Sequence, residues 1–147
     1  MTSRIFLLNI WGKMNFELHP NLSPKDFIVD LPLCKVLLEN ESLYPWILLI
    51  PRRPNVSRIM DLNEIDQFQL LKELDLAQKI LWNSFDLTQL NVAAIGNKTP
   101  QLHIHVIGRK LEDPAWPNTV WDHPKKNPYS LERKEEMILF FKTAFTK

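Results

Sequence analysis

Eleven prolines against only three glycines cut this chain into short extended pieces, so much of its regular structure must come as brief strands. The runs LPLCKVLLEN (31–40) and WILLIPRRP (46–54) are apolar and closed by Asn, Glu, Ser and Pro. They predict two neighbouring strands joined by a turn around residues 41–45. Pro51 and Pro54 bring no N–H to a ladder, so the second strand should stop near Ile50. The clearest helix follows at residues 62–85, where Leu70, Leu71, Leu74, Ala77, Leu81 and Phe85 recur at helical spacing and Asp61 with Glu64 offers an N-terminal cap. QLNVAAIG (89–96) and QLHIHVIGR (101–109) read as strands of an antiparallel hairpin turned at residues 97–100. A proline- and tryptophan-rich wrap then leads to a second helix over 130–145, with Met137, Phe140, Phe141, Ala144 and Phe145 on one face. The order predicts an α+β domain: an antiparallel sheet of about five strands with both helices packed on one face.

With 147 residues the chain is the size of one domain, and Met14 opens MNFELHPNL like a natural start, which sets residues 1–13 apart as an N-terminal extension of a domain spanning 14–147. Eighteen Lys and Arg against seventeen Asp and Glu give a net charge of +1, so no global field exists to hold a long nucleic acid. Any phosphate binding must be local. The single cysteine, Cys34, rules out an internal disulfide and suits a reducing compartment, where it packs as a small hydrophobe. The apolar run Ile5–Trp11 after Arg4 is too short to span a bilayer and lacks a cleavage signal. The expected location is the cytoplasm, with no membrane partner.

The chemistry concentrates in TPQLHIHVIGR (99–109). Side chains two apart on a strand share a face, so Gln101, His103 and His105 project together while Leu102, Ile104 and Val106 turn the other way. On a sheet covered by helices on one side, this polar row lies on the open side, available to a ligand. Three readings fit the row. It can be an ordinary strand with two satisfied histidines, a zinc or iron pair completed by His19, His123 or a carboxylate, or a catalytic pair. The GNKTP turn just before it offers backbone N–H groups, the Asn97 amide, the Lys98 ammonium and the Thr99 hydroxyl, all suited to a phosphate. Arg109 adds a cation at the far end of the strand.

These segments together resemble the histidine triad (HIT) superfamily, marked by H-x-H-x-H-x-x with apolar x positions on the last strand of the core sheet. The matching residues are Q-L-H-I-H-V-I, preceded by LLIPRR, by the long-helix segment DLNEIDQFQLLKELDLAQKI and by NVAAIG, and followed by DPAWP. The resemblance covers roughly residues 16–121, and the chain closely resembles a group of small bacterial HIT-domain proteins carrying P-Q-L-H-x-H-x-I.

The resemblance implies a hydrolase or nucleotidyl transferase acting at the α-phosphorus of a nucleotide. His103 would attack to form a nucleotidyl-histidine intermediate, and His105 would contact phosphate oxygens and assist the leaving group. Gln101 stands where the first triad histidine is usual, so an uncharged amide would orient His103. Trp46 stands where many members carry a further histidine, which leaves two imidazoles at a site that often has four. Asn40, or its neighbour Glu39, would meet the ribose, and at least one of Arg52 and Arg53 would be surface charge. Dinucleoside polyphosphates, nucleotide phosphoramidates and adenylylated conjugates are the substrate classes implied, without a cofactor or built-in metal, although Mg²⁺ can accompany a polyphosphate. Relatives pair as homodimers across a helix and a sheet edge, so a homodimer is expected. The alternative is a catalytically weak nucleotide-binding module with a degenerate triad.

Overall fold

The computed structural model describes residues 15–147, so the extension expected at 1–13 lies outside the described residues. Five strands, β1 (Asp26–Asp30), β2 (Cys34–Leu38), β3 (Trp46–Pro51), β4 (Gln89–Ala94) and β5 (Ile104–Arg109), combine with two helices, α1 (Glu64–Ser84) and α2 (Leu131–Phe145). The sheet runs β1-β2-β3-β5-β4 with each neighbouring pair antiparallel. This is the α+β arrangement that the sequence predicts.

Strand alternation decides which side the helices take. Val36, Ile47, Leu49, Ile104 and Val106 form one buried face, packed against Leu70, Leu74, Ala77 and Leu81 of α1 and Met137, Phe141 and Phe145 of α2. Cys34 lies in the same cluster, as expected of a small hydrophobe. Leu71, placed on the buried face by its spacing, is exposed instead, and Ile80 is buried. Asn63 caps α1, its side chain accepting from Asp66 N at 2.8 Å. Asp61, expected in that role, accepts from Ser57 N and Arg58 N and closes the short turn before the helix.

Three further corrections bear on the site. β5 starts at Ile104, three residues later than the alternating pattern suggests, because Leu102 N donates to Val56 O and draws the preceding chain away from the ladder. The β4–β5 pair closes at Ala94 and Ile104, so its connection is a loop of residues 95–103, longer than a tight turn. Finally, the second face of the sheet is not open. Leu37, Leu48, Ile50 and Ile107 are covered by Leu22 from the segment before β1 and by Ala115 and Val120 from the segment after β5. Neither covering segment contains a long periodic element, so the sequence pattern gave no sign of a roof.

Gly108 admits a close crossing on this strand. A Cβ there would meet Pro45 Cγ at 2.6 Å and Leu87 Cδ2 at 2.8 Å, while the Gly108 N–H donates to Pro45 O at 2.8 Å. Among the described residues no helix is long and apolar enough to cross a membrane.

Candidate active site

His105 belongs to β5, opposite Leu48 of β3 and Ala93 of β4, while His103 sits just ahead of the strand in the loop that leads into it. Both are nearly buried, at 6% and 8% exposure for His103 and His105. Their rings meet edge to face with centroids 5.1 Å apart. A buried imidazole nitrogen needs a partner, and each ring has found a different kind.

His103 Nδ1 lies 2.7 Å from the backbone carbonyl of Gln101. A carbonyl oxygen only accepts, so Nδ1 carries the ring proton and donates it, and Nε2 keeps its lone pair. His105 is arranged the opposite way round. The Trp46 indole Nε1–H donates to its Nδ1 at 3.0 Å, and because an indole only donates, the proton of His105 sits on Nε2. One ring presents a nucleophilic lone pair and the other a hydrogen-bond donor. Burial, reinforced by the neighbouring His103 and the Lys25 ammonium, pushes the His105 pKa down to about 3, so it is neutral near pH 7. Trp46 and Trp121 enclose this ring, each edge to face at centroid distances of 5.6 and 5.0 Å.

His103 lines a cleft of about 600 Å³ together with Ser57, Arg58, Gly96, Asn97 and Gln101. Asn97 of the GNKTP turn thus lines the same cleft as His103. Lys98 is exposed on the same loop. Thr99 is buried, and its hydroxyl accepts from Asn21 Nδ2 at 2.9 Å.

Gln101 departs from the expected arrangement. Its side-chain Oε1 accepts from His19 N and its Nε2 donates to Glu17 O, both at 2.8 Å, so the amide secures the segment before β1 while the residue's backbone carbonyl orients His103. Arg109 also departs. Its guanidinium grips Asp113 through two bonds of 2.8 and 3.0 Å and donates to Asn91 Oδ1 at 2.8 Å, buried at 2% exposure, which leaves it committed to the fold and away from a phosphate. Asn40 lies two residues beyond Leu38, the last residue of β2. Its Oδ1 accepts from Tyr129 N, which ties down the chain before α2 and leaves the ribose role without support.

Arg52 donates to the carbonyls of Leu31, Pro32 and Leu33, and Arg53 pairs with Asp66, so both brace the loop after β3. Two cations near the histidines were not singled out from the sequence. Arg58 stands at the cleft with its guanidinium mostly exposed, 3.6 Å from Asp61, and Lys25 pairs with Glu39 close enough to affect His105. Arg58 ends the basic stretch PRRPNVSR, which was the available signal. Among the described residues no group of three or more His, Cys, Asp or Glu is placed to hold a metal ion. His19, named as a further metal ligand, spends its Nδ1 accepting from Asn21 N.

The family model described as HIT domain matches residues 21–112, which take in the sheet, the long helix and both histidines. The chain belongs to the HIT-domain family. This HIT-domain protein is similar in structure to a histidine triad protein from Bradyrhizobium japonicum, at 38% identity and a TM-score of 0.84, covering 88% of this chain and 97% of that one. It is likewise similar to a histidine triad protein from Marinobacter aquaeolei, at 34% identity and a TM-score of 0.86, covering 89% and 96%. The fold extends to the diadenosine triphosphate hydrolase of Plasmodium falciparum, at 21% identity and a TM-score of 0.57, covering 98% and 95%. Among curated proteins there is no match.

Proposed function

We propose that this HIT-domain protein is a nucleotide hydrolase or nucleotidyl transferase that works through a covalent nucleotidyl-His103 intermediate. The observation that carries the reading is the bond from His103 Nδ1 to the Gln101 carbonyl, which leaves the Nε2 lone pair as nucleophile on a residue lining the cleft. Nε2 attacks the α-phosphorus and the bond to the leaving group breaks with its electron pair. Water or another acceptor then attacks phosphorus and returns the N–P pair to His103. The Gln101 carbonyl holds the Nδ1 proton throughout and faces the positive charge that forms on the ring. His105 Nε2–H donates to a non-bridging phosphate oxygen. Asn97 and Arg58 supply polar contacts at the cleft, Arg58 taking the place first given to Arg109.

The reading includes a homodimer, supported by the exposed apolar residues Phe68 and Leu71 on α1 and Val92 on the edge strand β4. It also includes a cytoplasmic setting, with Mg²⁺ entering only alongside a polyphosphate. The near-complete burial of both histidines favours a second reading, a nucleotide-binding module with little turnover. One experiment separates them. Incubation with a dinucleoside polyphosphate or an adenosine phosphoramidate, followed by quenching and intact mass measurement, should reveal an acid-labile nucleotidyl adduct that His103→Ala abolishes and His105→Ala retains. Nucleotide binding with neither adduct nor turnover would leave only the binding module.

A further inference from the structure

Four groups surround the His105 ring, from different parts of the fold. Trp46 of β3 donates to Nδ1, Trp121 of the chain after β5 packs edge-on at 5.0 Å, His103 lies at 5.1 Å, and the Lys25 ammonium approaches from the segment before β1 with Glu39 as its own partner. A second proton on this ring would have to sit on Nδ1, pointing at the indole N–H in a buried space already near a cation. The same geometry accounts for the neutral state of His105 at pH 7. His103 offers no alternative acid, since its Nδ1 proton belongs to the Gln101 carbonyl and its Nε2 is consumed in the bond to phosphorus.

We infer that the site selects leaving groups that depart as stable oxyanions, the phosphoanhydrides of dinucleoside polyphosphates, over amines, because Trp46 holds His105 as a hydrogen-bond donor unable to act as general acid. The inference rests on the reading that His103 attacks an α-phosphorus. With an anhydride, the N–P bond forms as the bond from phosphorus to the bridging oxygen breaks. The electron pair stays on the departing nucleotide's terminal phosphate, which needs no proton. Water then adds to phosphorus, the N–P pair returns to Nε2, and the proton of water passes to solvent. With a phosphoramidate, the departing nitrogen must gain a proton as the P–N bond breaks, and neither ring can release one: neutral His105 would become an imidazolate, and the His103 Nδ1 proton stays hydrogen-bonded to the Gln101 carbonyl. Trp46 is thus a positioning residue acting through His105.

The test compares kcat/KM at neutral pH for a dinucleoside polyphosphate and a nucleoside phosphoramidate carrying an alkylamine on the same nucleoside. The wild type should favour the anhydride by roughly a hundredfold or more, the scale of a missing general acid. Trp46→Phe removes the indole N–H that occupies Nδ1, so that this nitrogen can take up a proton, and should narrow that ratio about tenfold. In the ligand-free wild type, nitrogen-15 spectra should show His105 protonated at Nε2, bare at Nδ1 and not titrating between about pH 5 and 8. Equal wild-type efficiency on the two substrates, or titration of His105 in that range, overturns the inference while the transfer reading stands. Absence of an adduct with either substrate, with the spectra as expected, overturns the transfer reading and the selectivity with it. Both wild-type measurements are independent of whether the variant folds.

Discussion

His103 and His105 stand two positions apart and are both held at Nδ1 but in opposite senses, one giving its Nδ1 proton to a carbonyl and the other accepting at Nδ1 from an indole. The burial of His105 has a thermodynamic signature. Unfolded, the ring takes up a proton near its ordinary value of about 6.5, whereas folded it resists protonation down to about 3. Between these values the unfolded state binds more protons, so stability is complete above the upper value and is lost as pH falls toward the lower one. The expected slope is up to about 1.4 kcal/mol per pH unit. Urea unfolding between about pH 7 and 5 should show this loss in the wild type and a smaller one in His105→Gln; equal slopes would refute the assignment. Tyr44 offers a second residue-level prediction. Its hydroxyl is buried with no hydrogen-bond partner, while its ring packs against Trp46 and beneath the Arg109 guanidinium. Tyr44→Phe keeps the ring and removes the orphan, so stability should hold or rise by about 1 kcal/mol in denaturant melts, against the loss usual for a buried truncation. The two histidines were legible because alternation and motif are local. The use of Gln101 was not, since its amide bonds reach residues 82 and 84 positions away.

Among the elements, α1 and α2 were legible almost to the residue, because a helix buried on one face writes its period into the sequence. β1 was not delimited: DFIVD is five residues long at the sheet edge, with an acid at each end and prolines on both sides. The segment after β5 was read only as an irregular wrap, and its anchor was mistaken for a ligand contact. Asp113 follows Arg109 by four residues, so the clue was present, but a strand ending in arginine reads equally well as a phosphate site. The consequence is measurable. Arg109→Ala would leave the Asp113 carboxylate buried without its cation, costing about 3–5 kcal/mol in denaturant melts. Replacing both Arg109 and Asp113 by apolar residues of similar size should recover much of that loss, and a double variant as unstable as the single would show that the pair is not the anchor.

Over the whole molecule, the sequence conveyed the layers but not the closure of the second face. Residues 15–25 lie across the histidine loop, held by Gln101 on the backbone of residues 17 and 19 and by Asn21 on Thr99. Gln101→Ala should therefore free this strap with little change to the sheet. Limited proteolysis would show faster cutting around residues 15–21 while far-ultraviolet circular dichroism is unchanged; unchanged cutting would mean that Leu22, buried in the second cluster, holds the strap without help.

The strand order gives the histidine strand a role of its own. β4 forms the sheet edge, and β5, synthesised after it, lies between β4 and β3. Until β5 arrives, the meander β1–β3 and the lone strand β4 have no ladder in common. The strand that carries His105, and is entered through His103, is therefore the keystone of the sheet. A chain cut short before Ile104 lacks the joint as well as the reacting groups. The nucleotidyl transfer proposed for His103 would then act as a certificate of assembly, because a half-built molecule has nothing with which to counterfeit it.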